Sequence, residues 1–346
     1  MVSSRALALL AVLAPLAAAG SALAQDFTAG TTGLQRDMLL TDYSPLSSNL
    51  EMLRRFASPF DARTALQDLA RSGKRMAEQP VTLEEERFTV YIPTNMPPDG
   101  YGLLVFVSPS DQPGLPQGWA EALDRFGVIF VSAARSGNRQ NTRTRREPLA
   151  LLAAENLRRL YKVDPHHIWV GGFSGGSQVA MLLALGYPDL FHGALLDAGS
   201  DEIGSAERPL PPRQLFQQFQ ESSRLIYVTG ADDAINLALD RSSRRSMQDW
   251  CVFALDTETT PWQGHQVIGA ASLSQALEQL SMPVDPDWDR LLACRSTIEA
   301  ELNTQFDRVA ALLVRHQSDR AREVLSDIDR RFGGLAAPRS LEILGP

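Results

Sequence analysis

The segment Gly172-Phe173-Ser174-Gly175-Gly176 matches the pattern G-x-S-x-G, and it lies where the apolar run Ile168–Val170 meets a helical pattern. A serine on so tight a strand-to-helix turn is strained and its hydroxyl is exposed, which suits a nucleophile. The backbone N–H of Gly175, at the start of the helix, is the candidate donor to an oxyanion. The chain contains neither G-x-x-x-x-G-K-[ST] nor G-x-G-x-x-G, so the pattern favours a nucleophile over a phosphate-binding loop.

A serine nucleophile needs a general base, and the chain has five histidines. Four of them lie before the serine, in the turn that begins the next strand, or in the helical tail: His166, His167, His192 and His316. His265 remains, in the loop Pro261–Gln266 after the last predicted strand, and it fits the chain order serine, acid, histidine. The sequence therefore predicts His265 as the base, with a solvated loop histidine as the alternative. Trp262, in the same loop, is a candidate substrate-binding residue.

The acid is expected after the apolar run Leu225–Val228, where Gly230 precedes Ala231-Asp232-Asp233. Asp233 stands three residues past the glycine, the usual place for the acid, and Asp232 is the alternative. Adjacent side chains point in different directions, so we expect one carboxylate to face the imidazole and the other to cap the following helix. Ser174, Asp233 and His265 together predict acyl transfer.

The second oxyanion donor is expected in the loop after the strand Leu103–Val107, which reads Ser108-Pro109-Ser110-Asp111-Gln112. Pro109 has no N–H and cannot donate. Ser110 is therefore the first candidate, and Asp111 is the next.

Residues 134–146 contain five arginines in an otherwise acidic protein. They follow the predicted strand Val128–Val131, so they are expected at the carboxyl edge of a sheet, where ligands bind in open α/β sheets. The hypothesis is that Arg143 or Arg145 binds an ester with a negative charge or several hydroxyls. The favoured alternative is a solvated basic loop whose arginines pair with surface carboxylates, because charge runs are usually solvated.

Short apolar runs alternate with helical patterns through the middle of the chain, which predicts an α/β fold with a mostly parallel sheet and helices on both faces. Phe88–Ile92 alternates and predicts a half-buried strand ahead of these runs. The apolar runs are Leu103–Val107, Val128–Val131, Ile168–Val170, Ala194–Leu196, Leu225–Val228 and Val252–Leu255. Helices are predicted at Leu50–Phe56, Ala62–Ala70, Pro148–Tyr161, Ser177–Leu185, Pro212–Phe219, Leu237–Trp250 and Ala270–Leu280.

Four segments are predicted: a signal peptide at 1–24, a helical preamble at 25–80, a catalytic domain at 81–282 and a helical extension at 283–346. The extension reads as a helical hairpin, with its second helix at Asp319–Arg331, whose apolar stripe is expected to pack on the main domain; any partner of these helices is unknown. The leader has a positive residue, Arg5, an apolar run and the cleavage pattern Ala22-Leu23-Ala24, so the protein is expected to be periplasmic or secreted.

Composition excludes several classes of protein. A hydrophobic content of 44% and a charged content of 21% are typical of a globular chain rather than a disordered one. A net charge of -8 argues against a nucleic-acid partner, and no stretch after the leader is apolar enough to predict stable membrane insertion. The absence of H-E-x-x-H and of a Cys/His cluster predicts no metal, and no cofactor is expected. Cys251 and Cys294 are either one disulfide or two buried thiols, and the sequence leaves both open.

Several motifs between Gly102 and Leu280 resemble the poly(3-hydroxybutyrate) depolymerase-like and feruloyl-esterase-like group of α/β-hydrolases. They are Tyr161-Lys162-Val163-Asp164-Pro165, Ile168-Trp169-Val170, the G-x-S-x-G segment, Tyr187-Pro188-Asp189-Leu190-Phe191, Thr229-Gly230 through Asp233, and Gly264-His265. The resemblance implies an exported serine esterase that acts on polyester, aryl or sugar-linked esters. The chain departs from the group in two respects, because Ser108-Pro109 replaces the usual His-Gly pair and no polymer-binding module is visible.

The expected function is hydrolysis of a small or oligomeric carboxylic ester through an acyl-enzyme. A serine peptidase of the same fold is one alternative, and it would usually have an extra gating domain. A non-catalytic binding protein that retains the fold is another; the altered oxyanion loop and the helical tail favour it, whereas the three triad residue types in order argue against it.

Overall fold

The computed structural model describes residues 31–345, and the predicted leader at 1–24 lies outside the described residues. Eight strands form one sheet in the order β1-β2-β4-β3-β5-β6-β7-β8. β1 pairs antiparallel with β2 and β2 antiparallel with β4, whereas all the remaining pairs are parallel. The strands are β1 (Gly33–Met38), β2 (Phe88–Ile92), β3 (Tyr101–Val107), β4 (Val128–Ala133), β5 (Val163–Phe173), β6 (Gly193–Asp197), β7 (Arg224–Gly230) and β8 (Leu255–Thr260).

Eleven helices of the described residues surround the sheet. They are α1 (Asn49–Phe56), α2 (Pro59–Ser72), α3 (Trp119–Phe126), α4 (Glu147–Leu160), α5 (Gly175–Gly186), α6 (Arg213–Ser222), α7 (Ala234–Asp249), α8 (Ala270–Ser281), α9 (Trp288–Val314), α10 (Ser318–Phe332) and α11 (Arg339–Leu344). The apolar side chains of α3 and α8 share one cluster with one set of strand residues, whereas those of α4, α5 and α6 share a second cluster with the other set. The sheet is therefore covered on both faces.

The predicted fold class is confirmed: a mostly parallel, mixed eight-stranded sheet lies between helices. β5 is the fifth of the eight strands, near the middle of the sheet, and the exchange of β3 and β4 in the order makes β3 its neighbour. The central strands are apolar runs because helices cover both of their faces.

Three predictions about the strands need correction. The preamble at 25–80 is not purely helical, because β1 lies within it and extends the sheet through β2. β2 was expected to be half-buried, but all five of its residues are buried, since it lies between two strands and Thr89 and Tyr91 are covered by the chain at Pro113 and Asp124. The last strand is not Val252–Leu255 but β8, an edge strand with the polar sequence LDTETT that has little apolar signal.

The C-terminal segment folds as α9 and α10, which pack against each other as the predicted hairpin. Its buried residues Leu302, Phe306 and Val309 belong to the same apolar cluster as α1 and α6. A disulfide joins Cys251, at the end of α7, to Cys294 in α9, with 5.9 Å between the Cα atoms. The alternative that the sequence left open is thereby resolved in favour of the bridge. The segment boundaries at 80/81 and 282/283 stay predictions.

The preamble and the chain after α10 are tied to the rest of the protein by polar contacts. The guanidinium of Arg55, which is buried, forms a two-pronged ion pair with Asp189 at 2.6 and 2.8 Å and donates to the carbonyl of Gly186. The backbone N–H of Phe60 donates to Asp329 in α10. Within residues 31–345, no helix is both long enough and apolar enough to cross a membrane.

Candidate active site

Ser174 stands between β5 and α5 in a conformation that few side chains adopt, with φ of 56° and ψ of −127°. Such a strained backbone exposes the hydroxyl at the carboxyl edge of the sheet. The flanking glycines are sterically required here. A Cβ on Gly172 would overlap the backbone of Gly176, and a Cβ on Gly176 would overlap the carbonyl oxygen of Val107. The local sequence can therefore adopt this turn only with glycine on both sides of the serine.

His265, in the loop between β8 and α8, reaches the serine. Its Nε2 lies 2.9 Å from Ser174 Oγ, and its Nδ1 lies 2.6 Å from Asp233 Oδ2. The imidazole packs on Phe173 with 4.8 Å between ring centroids. In the neutral tautomer with the proton on Nδ1, Nδ1 donates to the carboxylate and Nε2 accepts from the serine hydroxyl. The structure thus brings His265 together with Ser174, 91 residues earlier in the sequence, and with Asp233, 32 residues earlier.

Asp233 is buried and has three hydrogen bonds to its carboxylate. Besides His265, the backbone N–H of Asn236 donates to Oδ1 at 3.3 Å and its side-chain amide donates to Oδ2 at 2.7 Å. Burial alone would raise the pKa of Asp233, but the hydrogen bonds from Asn236 and His265 outweigh it and lower the pKa below its ordinary value. Asp233 therefore stays ionised beside the imidazole.

The expected division of labour between the two adjacent acids is wrong in one respect. Asp232 was expected to cap the following helix, but Asp233 is the N-cap of α7 through Asn236, in addition to facing His265. Asp232 is exposed, and its backbone N–H donates to the carbonyl of Gln263. Asp233 has both roles because it has two carboxylate oxygens. Both accept from Asn236 of α7, and Oδ2 also faces His265.

Asp197, at the end of β6, supports both the nucleophile and the base. Its backbone carbonyl accepts from the N–H of Ser174 at 2.8 Å, and its Oδ2 accepts from the N–H of Ile268 at 2.9 Å, three residues after His265. Oδ1 has no hydrogen-bond partner among the described residues. Burial raises the pKa of Asp197 well above its ordinary value. The hydrogen bond from Ile268 to Oδ2 anchors the histidine loop to the end of β6. The sequence reasoning missed this residue, because an aspartate at the end of a strand gives no separate signal.

The two expected oxyanion donors differ in their surroundings. Gly175 is the first residue of α5, where backbone N–H groups have no partner within the helix. Ser110 is exposed, but its N–H donates to Ser108 Oγ at 3.0 Å. Asp111 is held in place by the loop after β4, since its carboxylate accepts from Gly137 and its carbonyl accepts from Arg135. The structure does not support Ser110 as a donor in this state, because its N–H is already used.

The two arginines proposed for substrate binding are already paired. Arg143 donates to both oxygens of the buried Glu147 at 3.0 and 3.1 Å, and its guanidinium lies over the ring of Phe56. Arg145 donates to both oxygens of the buried Glu86, and its Nε donates to a backbone carbonyl. These contacts agree with the alternative interpretation in that the arginines pair with carboxylates, but the carboxylates of Glu147 and Glu86 are buried and not on the surface as that interpretation expected. A direct role in substrate binding stays a prediction.

Arg146, from the same arginine-rich run, is a buried residue that the sequence reasoning overlooked. It donates to the carbonyl oxygens of Ser136, Gly175 and Ser108, at 2.9, 3.2 and 3.3 Å. These carbonyls belong to the loop after β4, the start of α5 and the loop after β3. One guanidinium therefore joins the three segments around the serine. The only weak signal in the sequence is that Arg146 directly precedes the apolar helix α4.

Trp262, the remaining candidate for substrate binding, lies two residues after the end of β8 in the histidine loop and is 93% exposed. Its φ of 60° is unusual for a residue with a bulky side chain. The ring therefore faces solvent on the loop that contains the base, and its contact with a substrate stays a prediction.

The chain is similar in structure to several hydrolases. A ferulic acid esterase matches with a TM-score of 0.44 and 15% identity, over 59% of this chain and 94% of that chain. An acetyl xylan esterase from Aspergillus awamori matches with a TM-score of 0.45 and 12% identity, over 56% and 94%. A puromycin-hydrolyzing peptidase from Mycobacterium tuberculosis matches with a TM-score of 0.39 and 17% identity, over 56% of this chain but only 36% of that chain. No family model and no curated protein matches the chain.

Proposed function

We propose that the protein is a serine esterase that hydrolyses carboxylic esters through an acyl-enzyme, with Ser174 as nucleophile, His265 as general base and acid, and Asp233 as the partner of the imidazole. The observation on which the proposal depends is the continuous line of contacts from Ser174 Oγ through His265 to Asp233, at 2.9 and 2.6 Å. A serine hydroxyl alone is a poor nucleophile, and this arrangement supplies the base and its orientation.

In the acylation step, Nε2 of His265 takes the proton of Ser174 as Oγ forms a bond to the ester carbonyl carbon. The π electrons of the carbonyl move to its oxygen, which becomes an oxyanion near the N–H of Gly175. When the oxyanion collapses, the bond to the alcohol oxygen breaks, and the leaving alcohol takes the proton from His265. Asp233 keeps its charge throughout and stabilises the imidazolium.

In the deacylation step, water replaces the alcohol and the same groups act in reverse. His265 takes a proton from the water as its oxygen attacks the acyl carbon, and the second oxyanion collapses to release the acid. The proton then returns to Ser174 Oγ. The ionised state of Asp233 supports this scheme, because an imidazolium beside a neutral acid would lose its stabilising charge.

The test combines covalent labelling with turnover. A fluorophosphonate probe should label the wild-type protein once per chain at Ser174, and Ser174→Ala should lose both labelling and hydrolysis of p-nitrophenyl acetate. The control Ser72→Ala changes an exposed serine on α2 and should match the wild type. A wild-type protein that neither reacts with the probe nor hydrolyses any ester would contradict the proposal and favour a non-catalytic binding protein.

A matched pair of substrates separates an esterase from a peptidase. The p-nitrophenyl ester and the p-nitroanilide of the same acyl group present the same carbonyl with different leaving groups. We expect kcat/KM to be much higher for the ester, and a preference for the anilide would identify a peptidase. The proposal includes export to the periplasm or the medium, on the basis of the leader at 1–24. A substrate of the feruloyl or short polyester kind is proposed only from the sequence resemblance.

A further inference from the structure

Asn138, in the loop after β4, lies against the start of α5. A Cβ on Gly175 would come within 2.5 Å of Asn138 Oδ1 and 3.1 Å of its Nδ2. The side-chain amide therefore occupies the space beside the Cα of Gly175. The backbone of Asn138 is fixed as well, because its N–H donates to the carbonyl of Pro109 at 3.0 Å.

The orientation of this amide is set by a neighbouring cation. Nη2 of Arg146 lies 3.3 Å from Asn138 Oδ1. A guanidinium has only donors, so the atom of the amide that faces it must be the oxygen. The NH₂ group then points away from Arg146. Across residues 31–345, Nδ2 has no hydrogen-bond partner, and the side chain is exposed. Asn138 thus presents two N–H groups to solvent beside the helix N-terminus that follows the serine.

We infer that Asn138 Nδ2 is the second oxyanion donor, acting with the backbone N–H of Gly175; the inference rests on the proposed function. Two donors to one oxygen each stand about 3 Å from it, so they lie no more than about 6 Å apart. Asn138 Nδ2 lies 3.1 Å from the position of a Cβ on Gly175. The distance between Nδ2 and the backbone nitrogen of Gly175 is therefore within this limit. In the acylation step, the charge that develops on the carbonyl oxygen would receive one hydrogen bond from each donor.

The surrounding contacts favour the side chain of Asn138 over the backbone at Pro109 and Ser110. The N–H of Ser110 would have to leave Ser108 Oγ before it could donate, and Pro109 has no N–H. Asn138 needs no such rearrangement, because Arg146 holds its oxygen and leaves its nitrogen free. A donor that is in place before the reaction costs no reorganisation when charge develops. Asn138 would therefore supply, from a side chain, the donor that a backbone N–H more often supplies.

Arg146 is the positioning residue in this arrangement. Its guanidinium donates to Asn138 Oδ1 and to the carbonyl of Gly175. The same buried group therefore holds both of the residues that would donate to the oxyanion. Its planar fork reaches several acceptors at fixed angles, which the point charge of a lysine would not do.

The test compares Asn138→Ala with Gln140→Ala. Gln140 is two residues away and its amide donates to Asp111 at 3.1 Å, so its removal disturbs the same loops without removing a donor from Gly175. We expect Asn138→Ala to lower kcat by about 10²- to 10³-fold with little change in KM. Gln140→Ala should stay within about threefold of the wild type, and both variants should melt within a few degrees of it.

A trifluoromethyl ketone distinguishes a donor from a merely structural side chain. Ser174 would add to the ketone and form a hemiketal oxyanion that needs the same donors. The inhibition constant of the ketone should therefore rise in Asn138→Ala by about the factor by which kcat/KM falls. Asn138→Asp keeps the shape but places a negative charge at the oxyanion, so it should be less active at neutral pH than Asn138→Ala.

The possible failures of the two proposals are distinguishable. An active wild type in which Asn138→Ala matches Gln140→Ala in turnover and in ketone inhibition would overturn the role of Asn138 alone. A wild type that fails to hydrolyse esters and is not labelled at Ser174 would overturn the proposed function, and the inference with it.

Discussion

Removal of the disulfide should lower the stability of the protein by an amount that follows from the length of the loop. Cys251 and Cys294 are 43 residues apart in sequence. Closing a loop of this size removes chain entropy from the unfolded state worth about 4 kcal/mol. Unfolding entropy is about 2.1 cal/mol/K per residue, or about 0.7 kcal/mol/K for the described part of the chain, so the expected loss in Tm is about 6 °C.

The perturbation is the double variant Cys251→Ala and Cys294→Ala, compared with the wild type by scanning calorimetry with and without a phosphine reductant. Alanine is preferred to serine because Cys251 is fully buried and a hydroxyl there would need a partner. Reductant should lower the Tm of the wild type by about 6 °C and leave the double variant unchanged, which serves as its control.

The same variant should leave kcat intact at 25 °C. The bridge is attached at the far end of α7, a helix of 16 residues that begins next to Asp233. At 1.5 Å per residue, the bond is about 24 Å from the acid of the proposed triad. Two free thiols per chain in the denatured, unreduced protein, or a wild-type Tm that does not respond to reductant, would refute the reasoning.

Two further predictions concern aspartates at the site. Asp233→Asn should lower kcat by about 10⁴-fold because the wrong tautomer of His265 would be favoured, whereas Asp232→Asn should have little effect; the reverse order in steady-state kinetics would transfer the role to Asp232. Asp197→Asn should raise the Tm at neutral pH. An unfolded aspartate ionises near about pH 3.9, whereas burial raises the pKa of Asp197 in the folded state, so wild-type stability falls by up to about 1.4 kcal/mol per pH unit as pH rises from the unfolded pKa to the folded pKa. The variant has no such proton, and a difference in Tm that does not grow between pH 4 and pH 7 would contradict the explanation.

The turn at Ser174, the placement of His265 beside it and the fold class could be predicted from features of the sequence. The strained turn at Ser174 needs glycines next to it in the chain, and the parallel strands need apolar runs on both faces. His265 could be found by elimination, since only five histidines exist. β8 was misplaced because it is a partly exposed edge strand and its sequence is polar. The apolar residues from Val252 onward, in the preceding loop, therefore predicted the strand there instead.

The oxyanion region could not be predicted because it is built from contacts between loops. Ser110 follows β3, whereas Asn138 and Arg146 follow β4, and which of their donors are free depends on which acceptors the fold brings near. Five arginines in one short run look equivalent in the sequence, yet Arg146 is buried at the serine and three others pair with the buried Glu86 or Glu147. Burial decides their roles, and burial is a property of the tertiary structure.

The ties between the first and last helices determine the order in which the protein can fold. Phe60 at the start of α2 has its partner at Asp329, 269 residues later, and Arg63 donates to the carbonyl of Leu341. During synthesis, α2 can therefore form these contacts only after almost the whole chain has been made, whereas the central strands can already assemble from nearby segments. Contacts so distant in sequence form slowly, because a long loop must close before they contribute. A chain cut short before α10 would leave α2 without Asp329 and Leu341 as partners, so we expect this end of the molecule to be the last to become protected during folding.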